Sequence, residues 1–261
     1  MYRSNMPIKS RSKSGSFSSF RNSLSSSNRR MSTSVGVRGV GRCPSHNQKA
    51  PASCRCFLCY HSKMKNSVAS LTQIQQLVLD IHKIERNHNI PGTEKHENVV
   101  DHCFSVSMMC WKLYNTLKPD LDFEKVLKYC LAHDFLERGL LKDVNTYADA
   151  KTREAKKEQE ERELEKLEEE FTDFPDMLQT IKDYENMIDE ESKFVHTIDK
   201  MQAIILGEID DWRPYKRVGI THRQFTAKGE EFEKNCPDFL LETLREVNQH
   251  SRKTFYDQPK D

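Results

Sequence analysis

The chain has 261 residues, of which 36% are hydrophobic, and a formal charge of +1. This length allows one or two domains, and no apolar run approaches the roughly 18 residues needed to cross a bilayer, so no membrane-spanning helix is expected. The small net charge hides an asymmetry: residues 1–79 carry 13 of the 41 Lys and Arg and no acid, leaving 28 basic residues against 40 acidic ones, a net of −12. An acidic body disfavours nucleic acid as a partner of the folded part.

Residues 1–65 are rich in Ser, Arg, Lys and Gly and lack periodicity. Such a segment cannot repay the entropy of ordering and is expected to be disordered. Its composition is also that of an organelle transit peptide, which would send the protein to a mitochondrion or plastid. A plain basic tail on a cytoplasmic protein stays open, as does salt-dependent attraction to RNA or an anionic membrane. Cys54, Cys56, Cys59 and His61 lie too close together to supply the loop that folds around a structural zinc, and read as isolated side chains. Cys103, Cys110 and Cys130 fall on helix faces as small apolar residues, so a protein without structural disulfides is expected.

A domain is expected over residues 66–250, followed by a short tail at 251–261. A first helix spans about 68–86, with Leu71, Ile74, Leu77, Val78 and Ile81 on one face. Asn87 to Lys95, containing Pro91-Gly92, reads as a loop. The second helix runs from about Asn98 to Leu117, with Val99, His102, Val106, Met109 and Leu113 as its stripe and Glu97 suited to its positive end. Asp122 is a candidate N-cap for a helix over 123–136 whose inward stripe, Phe123, Val126, Leu127, Cys130 and Leu131, continues to Asp134. Residues 139–147 are irregular. Residues 148–170 are helix formers with many opposite charges at i, i+4, which predicts a solvated helix and an arm. Further helices are expected over about 174–184, 190–210 and 237–250, the middle one facing inward through Phe194, Val195, Ile198, Met201, Ile204 and Ile205. No strand or hairpin is evident. The fold class is all-α.

His102, His133, Asp134 and Asp199 sit on or beside these apolar stripes. Buried ionisable groups are costly unless a metal or a charge partner compensates them. Taken singly, each has a plainer explanation: a satisfied core histidine for His102, a cap for Asp134, a surface ion pair with Lys200 or Arg213 for Asp199.

The joint order differs. Arg86, then Glu97-Asn98-Val99-Val100-Asp101-His102, then His133-Asp134-Phe135-Leu136-Glu137, then Glu191 to Lys200 with Asp199, resembles the HD-domain metal-dependent phosphohydrolase superfamily. It looks most like the 5′-deoxynucleotidase-like branch, over about residues 70–215. That resemblance implies an HD-domain helical bundle in which His102, His133, Asp134 and Asp199 hold one divalent metal. Imidazole with carboxylate suits Mn, Co, Fe or Zn, and less obviously Mg. It implies Glu137 as the residue that orients water or moves its proton, Arg86 as the substrate-phosphate arginine, and Asp143 in the place of a further acid. The stretch Gly139 to Val144 departs from the family pattern by one residue. Asn87 stands where the bacterial enzymes carry an aromatic that disfavours ribose, so that selectivity is not carried over. A homodimer is implied by resemblance alone, and helix-face residues Met108, Met109 and Trp111 are candidates for it.

The expected function is hydrolysis of (deoxy)nucleoside 5′-monophosphates to nucleoside and phosphate. Two other readings stand beside it: hydrolysis of another small phosphate ester or a nucleoside triphosphate, and a non-catalytic metal-binding scaffold whose arm 148–170 engages a partner.

Overall fold

The computed structural model describes residues 57–140 and 144–256, with side chains from residue 67 onward. In chain order it contains α1 (Phe57–His82), β1 (Glu85–Asn89), β2 (His96–Asn98), α2 (Val99–Leu117), α3 (Phe123–Ala132) and a 3-10 segment (Phe135–Gly139). Then come α4 (Ala150–Glu170), α5 (Pro175–Glu185), α6 (Glu190–Ile209), α7 (Arg213–Val218), α8 (His222–Glu233) and α9 (Asp238–Tyr256). The bundle is all-α apart from one short ribbon.

Helix α6 is the axis, packed against α2, α3 and α9. Val106 and Cys110 of α2, Val126 and Cys130 of α3, Phe194 and Ile198 of α6, and Leu240 and Leu244 of α9 form one buried core. A second joins Leu77 and Ile81 of α1 to Val99, Leu136, Leu167 and Ile181. A third gathers Ile204, Trp212, Tyr215, Ile220 and Phe225. Burying one such side chain contributes about 1.5–3 kcal/mol, against roughly 0.2–1 for an exposed ion pair. Apolar packing therefore sets the bundle, and the charges decorate it. The helix starts follow local chemistry: Asn98 accepts the Asp101 N–H at 3.0 Å, and Asp122 accepts that of Glu124 at 2.9 Å, as expected for an N-cap.

Several expectations are corrected. Helix α1 begins at Phe57, inside the stretch read as unstructured, and ends at His82. The remainder of that stretch, and the side chains of the Cys54–His61 cluster, lie outside the described residues. Arg86 and Glu97 stand on an antiparallel β1–β2 ribbon that the sequence reading missed. The ribbon carries polar, half-buried side chains, so no period-2 apolar pattern announces it. Glu97, beside the N-cap of α2, is buried and also faces Arg86 and Gln202.

Helix α3 stops at Ala132, and its inward face is Val126, Tyr129 and Cys130. Leu127 and Leu131 point outward, Leu131 being 62% exposed. The expected stripe holds at Phe123, Val126 and Cys130, but Tyr129 takes the inward place given to Leu127 and Leu131, because an apolar residue on a helix need not face the core. The terminal helix extends through the expected tail to Tyr256, where Phe255 and Tyr256 close the third core. Helices α7 and α8 were not foreseen, since α7 is short and α8 is largely polar. Among the described residues no helix is long and apolar enough to cross a membrane.

Candidate active site

The end of α3 sets the geometry. His133 is its C-cap, and Asp134 adopts φ −106°, ψ 15°, neither helical nor extended, before the chain tightens into the 3-10 segment. This break turns Asp134 toward α2 and α6 without continuing the helix stripe. His102 of α2, His133 and Asp199 of α6 are all buried, and their ligand atoms lie within 4.8 Å of one another. The Nε2 atoms of His102 and His133 are 3.3 Å apart. Asp134 Oδ2 lies 3.5 Å from each of them, and Asp199 Oδ1 lies 3.0 Å from that of His102.

The tautomers follow from the other ring nitrogens. His102 Nδ1 meets Gln202 Oε1 at 3.0 Å, and Gln202 Nε2 donates to Glu97 Oε1 at 3.0 Å. His133 Nδ1 meets the Cys130 carbonyl at 3.0 Å. Each Nδ1 therefore donates to an oxygen, which leaves the Nε2 lone pairs of both rings aimed into one spot beside two carboxylates. Two lone pairs at that distance repel each other unless a cation or proton lies between them. Two imidazoles and two carboxylates converging with fixed tautomers fit a divalent transition metal.

The electrostatics agree. Burial opposes charge on Asp134, yet His133, Arg86 and His102 outweigh it and hold its carboxyl at about 2. Asp199 is likewise held well below the ordinary range against its burial, by Lys200 and His102. Burial, then Arg86, pushes His102 below the ordinary imidazole value. Burial disfavours charge on His133 too, but Asp134 and Cys103 prevail and raise it well above that value. The cluster attracts positive charge.

Arg86 lies on this cluster, its Nη1 2.9 Å from Asp134 Oδ2 and its Nε 3.5 Å from Glu97 Oε2. Burial pushes Glu97 up to about 7 in spite of Arg86. Glu137 is buried in the 3-10 segment and accepts from Lys156 Nζ at 3.0 Å. A cleft is lined by Arg86, Asp134, Glu137 and Asp199 together with the apolar and aromatic side chains of Tyr147, Ile204, Pro214 and Tyr215. The structure thus brings together six of the seven residues singled out from sequence. Asp143 lies outside the described residues.

Four contributors went unrecognised. Lys200, expected only as a surface partner of Asp199, donates to it at 2.7 Å within the cleft, while Arg213 pairs with Asp210. Gln202, three residues beyond Asp199, shares its helix face, and that spacing is a signal that could have found it. His88 lines the cleft, and its imidazole is pushed down to about 3 by burial and then by Arg86. Lys156 had no sequence signal, since it is one of many lysines in α4. That helix is no free arm: Leu167 and Glu163 are buried, and Glu163 pairs with Arg138.

Residues 80–239 match the HD domain family. The chain belongs to the HD-domain family. Solved structures with the same fold include a predicted metal-dependent phosphohydrolase from Magnetospirillum magnetotacticum, 16% identical, covering 72% of this chain and 97% of its own, with a TM-score of 0.59. A Pyrococcus horikoshii protein is 20% identical, covers 69% of this chain and 98% of its own, and has a TM-score of 0.50. A conserved hypothetical protein from Pyrococcus furiosus is 23% identical and covers 70% and 99%, with a TM-score of 0.50. No curated protein matches the chain significantly in sequence.

Proposed function

We propose that this HD-domain protein is a metal-dependent phosphohydrolase, and within that class a phosphomonoesterase of (deoxy)nucleoside 5′-monophosphates in the 5′-deoxynucleotidase-like branch. The observation that carries the reading is the convergence of four metal-type donors with Glu137 and Arg86 on one cleft. Tyr147 and Tyr215 in the lining supply aromatic surface of the kind that takes a base. In this reading His102, His133, Asp134 and Asp199 hold one divalent cation, which supplies Lewis acidity and charge neutralisation for phosphoryl transfer. Glu137 takes the proton of the attacking water and passes it to the leaving nucleoside oxygen. The water oxygen bonds to phosphorus as the ester P–O bond breaks, giving nucleoside and inorganic phosphate. Arg86, braced by Asp134 and Glu97, presents its planar fork to the non-bridging phosphate oxygens.

The test is phosphate release from a panel of ribo- and deoxyribonucleoside 5′-monophosphates by metal-reconstituted protein. Turnover that chelation abolishes and Mn²⁺ or Co²⁺ restores is the expected result. A metal-loaded protein inert toward the whole panel would overturn it.

We also infer a homodimer. Phe104, Met108 and Trp111 form an exposed i, i+4, i+7 stripe on α2, and Leu131 is exposed on α3, whereas Met109 packs inward. Apolar surface of this kind marks an interface. Trp111→Glu should shift a sedimenting dimer to monomer without unfolding it; a wild-type monomer at high concentration would end the idea.

A further inference from the structure

The cleft continues past Asn145 and Thr146 into a second groove, and Lys156, Lys200 and Phe232 line both. Arg153 and Lys228 line only the second, so four basic side chains from α4, α6 and α8 face it. Among the described residues one carboxylate, Glu231, accompanies them there. Lys156, Lys200 and Lys228 each pair with a carboxylate, Glu137, Asp199 and Glu231 respectively, so among the described residues Arg153 is the cation that brings uncompensated charge to the groove.

The lysines are not ordinary surface lysines. The side chains of Lys156, Lys200 and Lys228 keep only 26%, 27% and 12% of their exposure. Holding a long cationic side chain out of water costs rotamer entropy and solvation. Three helices do so around one groove. Lys228 is gripped by both oxygens of Glu231, at 2.9 and 2.8 Å, with its Nζ 5.6 Å from the Phe232 ring centre. Arg153 is exposed and lines the groove, and its guanidinium offers the fork geometry that phosphate takes.

We propose that this groove is a second phosphate subsite. It holds a further phosphate group of the same substrate, uncleaved, while the first is hydrolysed at the neighbouring cluster. The substrate class is thereby narrowed from simple monophosphates to nucleotides bearing two phosphates; this rests on the phosphohydrolase reading of the adjoining cleft. Where the two phosphates are chained, as in a nucleoside diphosphate, water bonds to the sugar-linked phosphorus as its ester bond to the sugar breaks, giving nucleoside and pyrophosphate. Where the second sits elsewhere on the sugar, as in a nucleoside bisphosphate, the same step gives inorganic phosphate and a nucleoside monophosphate. Both present the same dianionic chemistry to Arg153 and the three lysines.

The test is equilibrium dialysis of the full-length, metal-loaded protein carrying Glu137→Gln, which removes turnover from the binding measurement. The probes are adenosine 5′-monophosphate, adenosine 5′-diphosphate, adenosine 3′,5′-bisphosphate and inorganic pyrophosphate. At least one two-phosphate nucleotide should bind about tenfold more tightly than the monophosphate, equivalent to one added charge-assisted contact set. Whichever of the two does so identifies the source. Adding Arg153→Ser and Lys228→Met should bring that ratio toward one; Arg153→Ser alone, at an exposed position, guards against misfolding and should reduce it partway. Equal binding of all three nucleotides, or a preference that survives both substitutions, would overturn the proposal. Pyrophosphate separates the two hypotheses: its loss in the double variant, with no nucleotide hydrolysed by the wild type, would keep the subsite and discard the phosphohydrolase reading.

Discussion

Helices α6 and α4 face each other across the cleft and hold their functional groups by opposite means. In α6, Asp199 and Lys200 ride on a helix whose Phe194, Val195, Ile198 and Met201 are buried. In α4, a helix of 21 residues, Leu167 and Glu163 are the buried side chains. Ion pairs tie it down instead: Lys156 to Glu137, Lys182 to Glu168, and Arg138 to Glu163 and, at 2.7 Å, to Glu170. Gly139 lets the 3-10 segment approach closely, since a Cβ there would meet Glu163 Cβ at 3.0 Å. One wall is fixed by packing and the other by charge. Asp199 belongs to the packed wall, and Lys156, which touches Glu137, belongs to the charged one.

That contrast yields five predictions, in order of size. Asp199→Ala should cost both metal and activity, because it removes a donor that the packed wall cannot replace; metal analysis with a phosphate-release assay reads both. Glu137→Gln should keep the metal and lower turnover by about 10²–10⁴-fold, the range of general acid–base catalysis. If metal is lost as well, Glu137 belongs to the cluster and the two walls are not separate.

The next two concern stability, read by urea unfolding. Phe194→Ala should destabilise by about 3–5 kcal/mol, little changed by salt. Glu163→Ala should cost roughly 2 kcal/mol by leaving Arg138 with the half-exposed Glu170, and less in 1 M salt, which screens the remaining pairs. Equal salt response in both variants would erase the distinction. By contrast Leu131→Gln, on the outward face of α3, should stay within about 0.5 kcal/mol.

The packed wall was legible in the sequence and the charged wall was not. Phe194, Val195, Ile198 and Met201 recur at helical spacing, so α6 and its inward Asp199 follow from periodicity. His102 stands out for the same reason, as a polar residue on the stripe of α2. In α4, by contrast, every face carries charge, and nothing marks Lys156 off from its neighbours. The β1–β2 ribbon was hidden too, because its side chains are polar and its pairing depends on the chain folding back.

The sequence by itself determined the all-α class, the main helices and the cap at Asp122, since these depend on local propensity, and it marked His102 and Asp199 as polar groups on apolar stripes; Arg86, Glu137 and Asp143 were singled out by family resemblance alone. Tertiary structure decided the rest. It ended α3 at Ala132 so that Asp134 could turn inward, and it set which apolar face of that helix is buried. It also brought Lys156, Lys200 and Lys228 from three helices to one groove. Each of these depends on what lies opposite in space, which spacing along the chain does not encode.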